Sequence, residues 1–174
     1  MMVAEAGILV RAPLDTVREA VLDPDSYTQG DTKVGAVDVR ERTPDGMVAL
    51  IHGRLGPFRS AILARYQVVC DDVLLTMLEG RLRGFRAVFQ MSPRKGGTWL
   101  VHREQYDFGY GPLGPLLDHT LRRWALGTVR AEVSALRRAA EQRATRSAAP
   151  PASPGAAVAA PPAESPAPHP DKED

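Results

Sequence analysis

The stretch GFRAVFQMSPRKGGTWLVHREQYDFGYGPLGPLLDHTLRRWALGTVRAEVSALRRAAEQ, residues 84–142, decides the fold because its hydrophobic period changes once along its length. At its start Phe85, Ala87, Phe89 and Met91 alternate with Arg86 and Gln90, the period of a strand with one buried and one wet face. Arg94-Lys95-Gly96-Gly97 turns the chain into a second strand, Thr98 to Phe108. The glycines and prolines between Tyr110 and Pro115 end that strand and leave Pro115 suited to a first helical turn. From Gly114 to Gln142 the residues Leu117, Leu121, Ala125, Val129, Val133, Leu136 and Ala140 recur at steps of three and four, which predicts one long amphipathic helix. Its other face carries Arg122, Arg123, Arg130, Arg137 and Arg138 and reads as solvated. Gly127 costs about 1 kcal/mol against alanine inside a helix, so it is expected to admit a close approach by a strand or a ligand.

Upstream, Asp31 to Phe108 reads as six strands joined by short turns, among them Thr43-Pro44-Asp45-Gly46, Leu55-Gly56-Pro57 and Asp71-Asp72. Gly7 to Val10 adds a seventh strand. It is followed by a short helix, Thr16 to Leu22, with Val17, Ala20 and Val21 on its apolar side, and by a second at Pro24 to Thr28. The expected architecture is α+β: a curved seven-stranded antiparallel sheet wrapped around a long C-terminal helix, with two short helices after the first strand. A sheet that grips one helix encloses space between its concave face and that helix, where a small ligand can sit.

The chain has 174 residues, 44% hydrophobic and 25% charged, which excludes a wholly disordered or membrane-embedded protein. Of its 15 prolines, Pro150, Pro151, Pro154, Pro161, Pro162, Pro166, Pro168 and Pro170 lie in an Ala/Pro/Ser segment unable to bury enough apolar surface to offset its ordering entropy. The expected division is a folded domain over 1–143 and a disordered tail over 144–174. A net charge of +1 gives no basic field for nucleic acid. One cysteine, Cys70, fits a reducing compartment, and no signal peptide or bilayer-length apolar run is apparent, so a cytoplasmic protein without a membrane span is expected.

Three phrases then carry a family likeness. Val10-Arg11-Ala12-Pro13-Leu14-Asp15-Thr16-Val17 opens the first helix, Gly96-Gly97-Thr98 opens the last strand, and Tyr106-Asp107-Phe108 leads through Gly114-Pro115-Leu116-Leu117-Asp118 into the long helix. Together, over residues 3–142, they resemble the START-like, Bet v 1-like superfamily, also called SRPBCC, of the bacterial polyketide cyclase/dehydrase and lipid-transport type. The resemblance implies a helix-grip fold with an apolar cavity and an aromatic near its mouth, at Tyr27. It implies no particular reaction, since this fold hosts carriers, sensors and enzymes.

The chemistry-bearing residues are few. His52, His102, His119 and His169 show no metal-ligand spacing, and neither a metal nor a cofactor is expected. Cys70, beside Asp71 and Asp72, reads as a plain buried cysteine. The segment Gly109 to Gly114 reads as a turn, its prolines lacking donors a phosphate would need. In the last strand Leu100, His102, Glu104, Tyr106 and Phe108 share one face and Trp99, Val101, Arg103, Gln105 and Asp107 the other, and hydrophobicity does not say which is inside. Facing inward, His102, Glu104 and Tyr106 are candidate catalytic groups for orienting a carbonyl or phenol and exchanging a proton. The plainer reading, preferred on sequence alone, is a solvated face or satisfied sheet pairs. The expected cavity lining is Tyr27, His52, Tyr66, Phe85, Phe89, Leu117, Leu121, Trp124 and Thr128.

The expected function is binding of an apolar or aromatic small molecule, such as a lipid, isoprenoid or polyketide, by a monomer or homodimer. The alternative is an aromatase/cyclase-type enzyme using cavity Tyr, His or Arg groups for enolisation and loss of water.

Overall fold

The computed structural model describes residues 1–28, 33–55, 58–109, 111 and 114–148. The chain runs β1 (Met2–Val10), α1 (Leu14–Val21), α2 (Pro24–Thr28), β2 (Val34–Thr43), β3 (Gly46–Leu55), β4 (Phe58–Val69), β5 (Asp72–Glu79), β6 (Gly84–Arg94), β7 (Gly97–Asp107) and α3 (Gly114–Ala148). The strands form one seven-stranded sheet in the order β1-β7-β6-β5-β4-β3-β2, with every neighbouring pair antiparallel. The six strands from β2 to β7 make a meander, and β1 pairs with β7. This is the expected α+β architecture.

The helix packs across β1 and β7 and against α1. Its predicted stripe is the buried one: Ala125, Val129, Leu136 and Ala140 are wholly buried and Val133 nearly so. They meet an inner sheet face built from alternate residues, among them Ala4 and Val10 on β1, Phe89 on β6 and Leu100 on β7. From α1, Val17, Ala20 and Val21 complete the core. On the helix's other side Arg122, Arg123, Arg130 and Arg138 are exposed and Arg137 is half-buried. No helix among the described residues is long and apolar enough to cross a membrane.

Three local expectations change. The long helix does not stop at Gln142 but continues to Ala148, because Arg143-Ala144-Thr145-Arg146-Ser147-Ala148 contains neither glycine nor proline to end it. Gly127 is exposed, and a Cβ built on it would meet nothing within 4 Å, so no close approach explains it. Cys70 is exposed rather than buried: it occupies the β4–β5 turn with φ of 55°, one residue past the strand that would have covered it.

Candidate functional site

The face that hydrophobicity left undecided is settled by β7's pairing with β1 and β6 on either side. Thr98, Leu100, His102, Glu104 and Tyr106 point inward and are buried, while Trp99 and Arg103 are exposed. The solvated reading of His102, Glu104 and Tyr106 is therefore overturned. Three ionisable side chains at i, i+2 and i+4 of one strand stand in a row beneath the helix.

The charged cluster is completed from two other elements. Glu132 projects from the buried stripe of α3, one turn beyond Thr128 and Val129, and is 4% exposed. Lys33 precedes β2 and reaches in until its side chain is only 13% exposed. Its backbone is held by β3, where the Arg54 N–H donates to the Lys33 carbonyl at 2.7 Å. Gly53 makes that approach possible, since a Cβ there would lie 2.1 Å from the same carbonyl oxygen.

The Lys33 ammonium donates to Glu104 Oε1, and to Glu132 Oε2 at 3.0 Å. His102 Nε2 lies 3.2 Å from Glu104 Oε1 and 3.4 Å from Glu132 Oε2, and Nδ1 lies 3.3 Å from the Val88 carbonyl. Every partner of the ring is thus an acceptor, the arrangement suited to an imidazolium with two N–H donors. Phe89 stacks on that ring at 3.9 Å between centroids. The Tyr106 hydroxyl donates to Glu104 Oε2.

The electrostatics follow from these contacts. Burial alone lowers the His102 pKa, but the charges of Glu132 and Glu104 and their hydrogen bonds outweigh it and raise it to about 9. Burial pushes Glu104 upward, yet Lys33 and His102 hold it well below the usual carboxylate range. Glu132 is lowered against its own burial by the same two cations, with Glu104 opposing. Tyr106 is raised by burial and then by the charge of Glu104, so it stays a neutral donor. At neutral pH Lys33 and His102 balance Glu104 and Glu132.

His102, Glu104 and Glu132 also have their ligand atoms within 4.8 Å of one another, a set that can hold a metal ion. Sequence spacing hid it because the third member lies on another element. A divalent ion there would have to displace the Lys33 ammonium and take the proton from His102, since those two cations already face the carboxylates.

Glu104, Tyr106, Glu132 and Lys33 form the polar wall of a cavity of about 70 Å³. Its other walls are Val34, Ile51, Ile62, Tyr66, Leu75, Leu82 and Phe85, with Gly53, Arg54 and Ser60 also contributing. Of the expected lining residues, Tyr66 and Phe85 are therefore in place. Phe89 lies beneath His102, Leu121 and Trp124 are half-buried against the core, and Thr128 is buried with its hydroxyl donating to the Ala125 carbonyl; none of these lines the cavity. His52 points outward, its side chain 47% exposed and bonded to Asp38, because the strand alternation that turns Ile51 inward turns its neighbour out. The side chains of Tyr27 and Leu117 lie outside the described residues.

Glu132 and Lys33 were missed by the sequence reading. Glu132 carried a signal: it sits three residues after Val129 and four before Leu136, a charged group at a stripe position. Lys33 carried none, since its place depends on β3.

No protein-family model and no curated protein matches the sequence. Solved structures do. A Thermus thermophilus protein superposes with a TM-score of 0.66 at 16% identity, covering 84% of this chain and 99% of its own. A START superfamily protein from Mycobacterium smegmatis gives 0.62 at 14% identity, covering 84% and 99%. This is the START-like fold. The Zhui aromatase/cyclase from Streptomyces sp. R1128 shares it, with a TM-score of 0.66 at 17% identity over 81% of this chain and 94% of the other. At these identities the START-like likeness extends to the fold alone, and the site above is this chain's own.

Proposed function

We propose that this START-like chain binds a small, largely apolar molecule in the space between sheet and helix. The observation that carries the reading is the cavity itself: an apolar wall from β2 to β6 faces one polar wall whose charges are already balanced. Such a wall can orient a ligand's hydroxyl or carbonyl without leaving a buried charge unpaired. At about 70 Å³ the interior is narrower than the roughly 300–1,000 Å³ of ordinary ligand pockets, so it suits one apolar end of a ligand rather than a whole polyketide.

The aromatase/cyclase alternative draws on Tyr106 and Glu104, which meet at the cavity wall. Enolisation is best served by a base whose pKa lies near the working pH. Glu104 and Glu132 are held below that range, His102 is raised to about 9 and Tyr106 is raised further. None of these four groups is poised to exchange a proton near pH 7, which favours binding over catalysis.

The test is fluorescence titration with N-phenyl-1-naphthylamine, a neutral aromatic probe, alongside native mass spectrometry for a retained ligand. Leu82→Trp, on the β5–β6 connection, should fill the cavity and abolish probe binding while circular dichroism stays unchanged. Probe binding that is undiminished in this folded variant would contradict the reading.

A further inference from the structure

The cavity's mouth has a chemistry that the apolar interior does not explain. A groove of about 570 Å³ adjoins the cavity and shares Lys33, Gly53, Arg54 and Ser60 with it. Arg59 and Arg81 also line this groove, and none of its described lining residues is acidic. Arg54 and Arg59 are direct partners across the β3–β4 ladder, a placement in which like charges destabilise the sheet. Among the described residues the side chains of Arg54, Arg59 and Arg81 have no ion pair or hydrogen bond. The other basic side chains on the groove are already engaged, His52 with Asp38 and Lys33 with Glu104 and Glu132. Three guanidinium groups from two hairpins line an opening without a counter-charge among the described residues, while charges inside the cavity are matched.

We infer that the ligand is an amphiphilic anion, its carboxylate, sulfonate or phosphate head held in the groove by Arg54, Arg59 and Arg81, its apolar end inserted past Lys33 into the cavity. The inference rests on the cavity being a ligand site. Orientation follows from charge. On the inner wall Lys33 and His102 are already taken up by Glu104 and Glu132, so no cation there is spare for an anionic head, whereas the guanidinium groups at the mouth are open to one. Size agrees as well, with the wide groove for the head and the narrow interior for the tail. Guanidinium groups suit such heads because their planar donors bond two oxygens at once.

A matched pair of probes tests this on the full chain: 8-anilinonaphthalene-1-sulfonate against N-phenyl-1-naphthylamine, which has the same aromatic body without the sulfonate. The sulfonate should bind on the order of tenfold more tightly, and its affinity should fall with added salt while that of the neutral probe does not. Arg59→Gln with Arg81→Gln, both on the groove and outside the cavity lining, should remove most of that advantage and leave the neutral probe within about twofold of its original affinity. Leu82→Trp should weaken both probes. Equal affinities, or a sulfonate advantage that survives the double arginine replacement, would overturn the head-group assignment while leaving the cavity intact. Sulfonate binding that is indifferent to Leu82→Trp would overturn the insertion of the tail, and failure of both probes to bind would overturn the cavity reading together with this one.

Discussion

Replacing Lys33 by methionine keeps a long side chain and removes one of the two cations that face Glu104 and Glu132. The carboxylate side chains are 2% and 5% exposed and that of Lys33 is 13% exposed, so the loss leaves an uncompensated negative charge where water barely reaches. Breaking a buried ion pair from one side costs about 3–5 kcal/mol, which for a folded unit of this size lowers Tm by roughly 10 °C. Urea unfolding at pH 7 measures it. The pH dependence carries a definite sign. Glu104 and Glu132 have lowered pKa values in the folded state, so they stabilise above the ordinary carboxylate range and lose that contribution as pH falls through their folded values. His102 is raised from 6.5 to about 9, so its contribution is fully present below 6.5 and is lost as pH rises through 9. The parent protein should therefore be most stable between the ordinary carboxylate range and pH 6.5. In Lys33→Met one carboxylate regains a higher pKa, and the deficit against the parent should shrink as pH is lowered from 7 toward 5. Adding Glu132→Gln restores the balance of charge and should recover more than half of the loss. A deficit under about 0.5 kcal/mol, the size expected of an exposed pair, or no recovery on adding Glu132→Gln, would refute the reasoning.

Gly127→Ala should stabilise the protein by about 1 kcal/mol, since the position is exposed, helical and free of neighbours; a lower Tm would mean that something packs there. Gly53→Ala places a methyl against the Lys33 carbonyl, so it should lower stability and weaken probe binding together, and an unchanged affinity would separate Lys33 from the cavity. Cys70 should react stoichiometrically with a thiol reagent in the native state, whereas protection until unfolding would contradict its exposed turn position.

The sheet and helix were legible because their residues obey the two periods. Phe85, Ala87, Phe89 and Met91 keep one face apolar throughout, with only Val88 apolar between them, and the stripe from Leu121 to Ala140 is apolar at each step named for it. The inner face of β7 was not legible, because a polar row and a mixed row alternate there and only pairing with β1 and β6 distinguishes them. The site was readable in proportion to how local it is. His102, Glu104 and Tyr106 could be grouped from one strand; Glu132 needed attention to a charged residue within an apolar stripe; Lys33 needed the backbone of β3 beneath it. His52 misled because it lies one residue from the inward Ile51 and a single-residue offset reverses a strand's facing, whereas Cys70 misled because it falls in the β4–β5 turn past the end of its strand.

Where a ligand touches the protein decides whether the space between sheet and helix is a binding site. Chemical-shift mapping by NMR, following methyl and aromatic signals during titration with N-phenyl-1-naphthylamine, answers that in one experiment. Shifts should concentrate on Ile51, Ile62, Tyr66, Leu75, Leu82 and Phe85, which line the cavity. Shifts confined to the exposed outer side chains Leu9, Leu74 and Trp99, or none at saturating probe, would contradict the claim that this fold holds a ligand between its sheet and its helix.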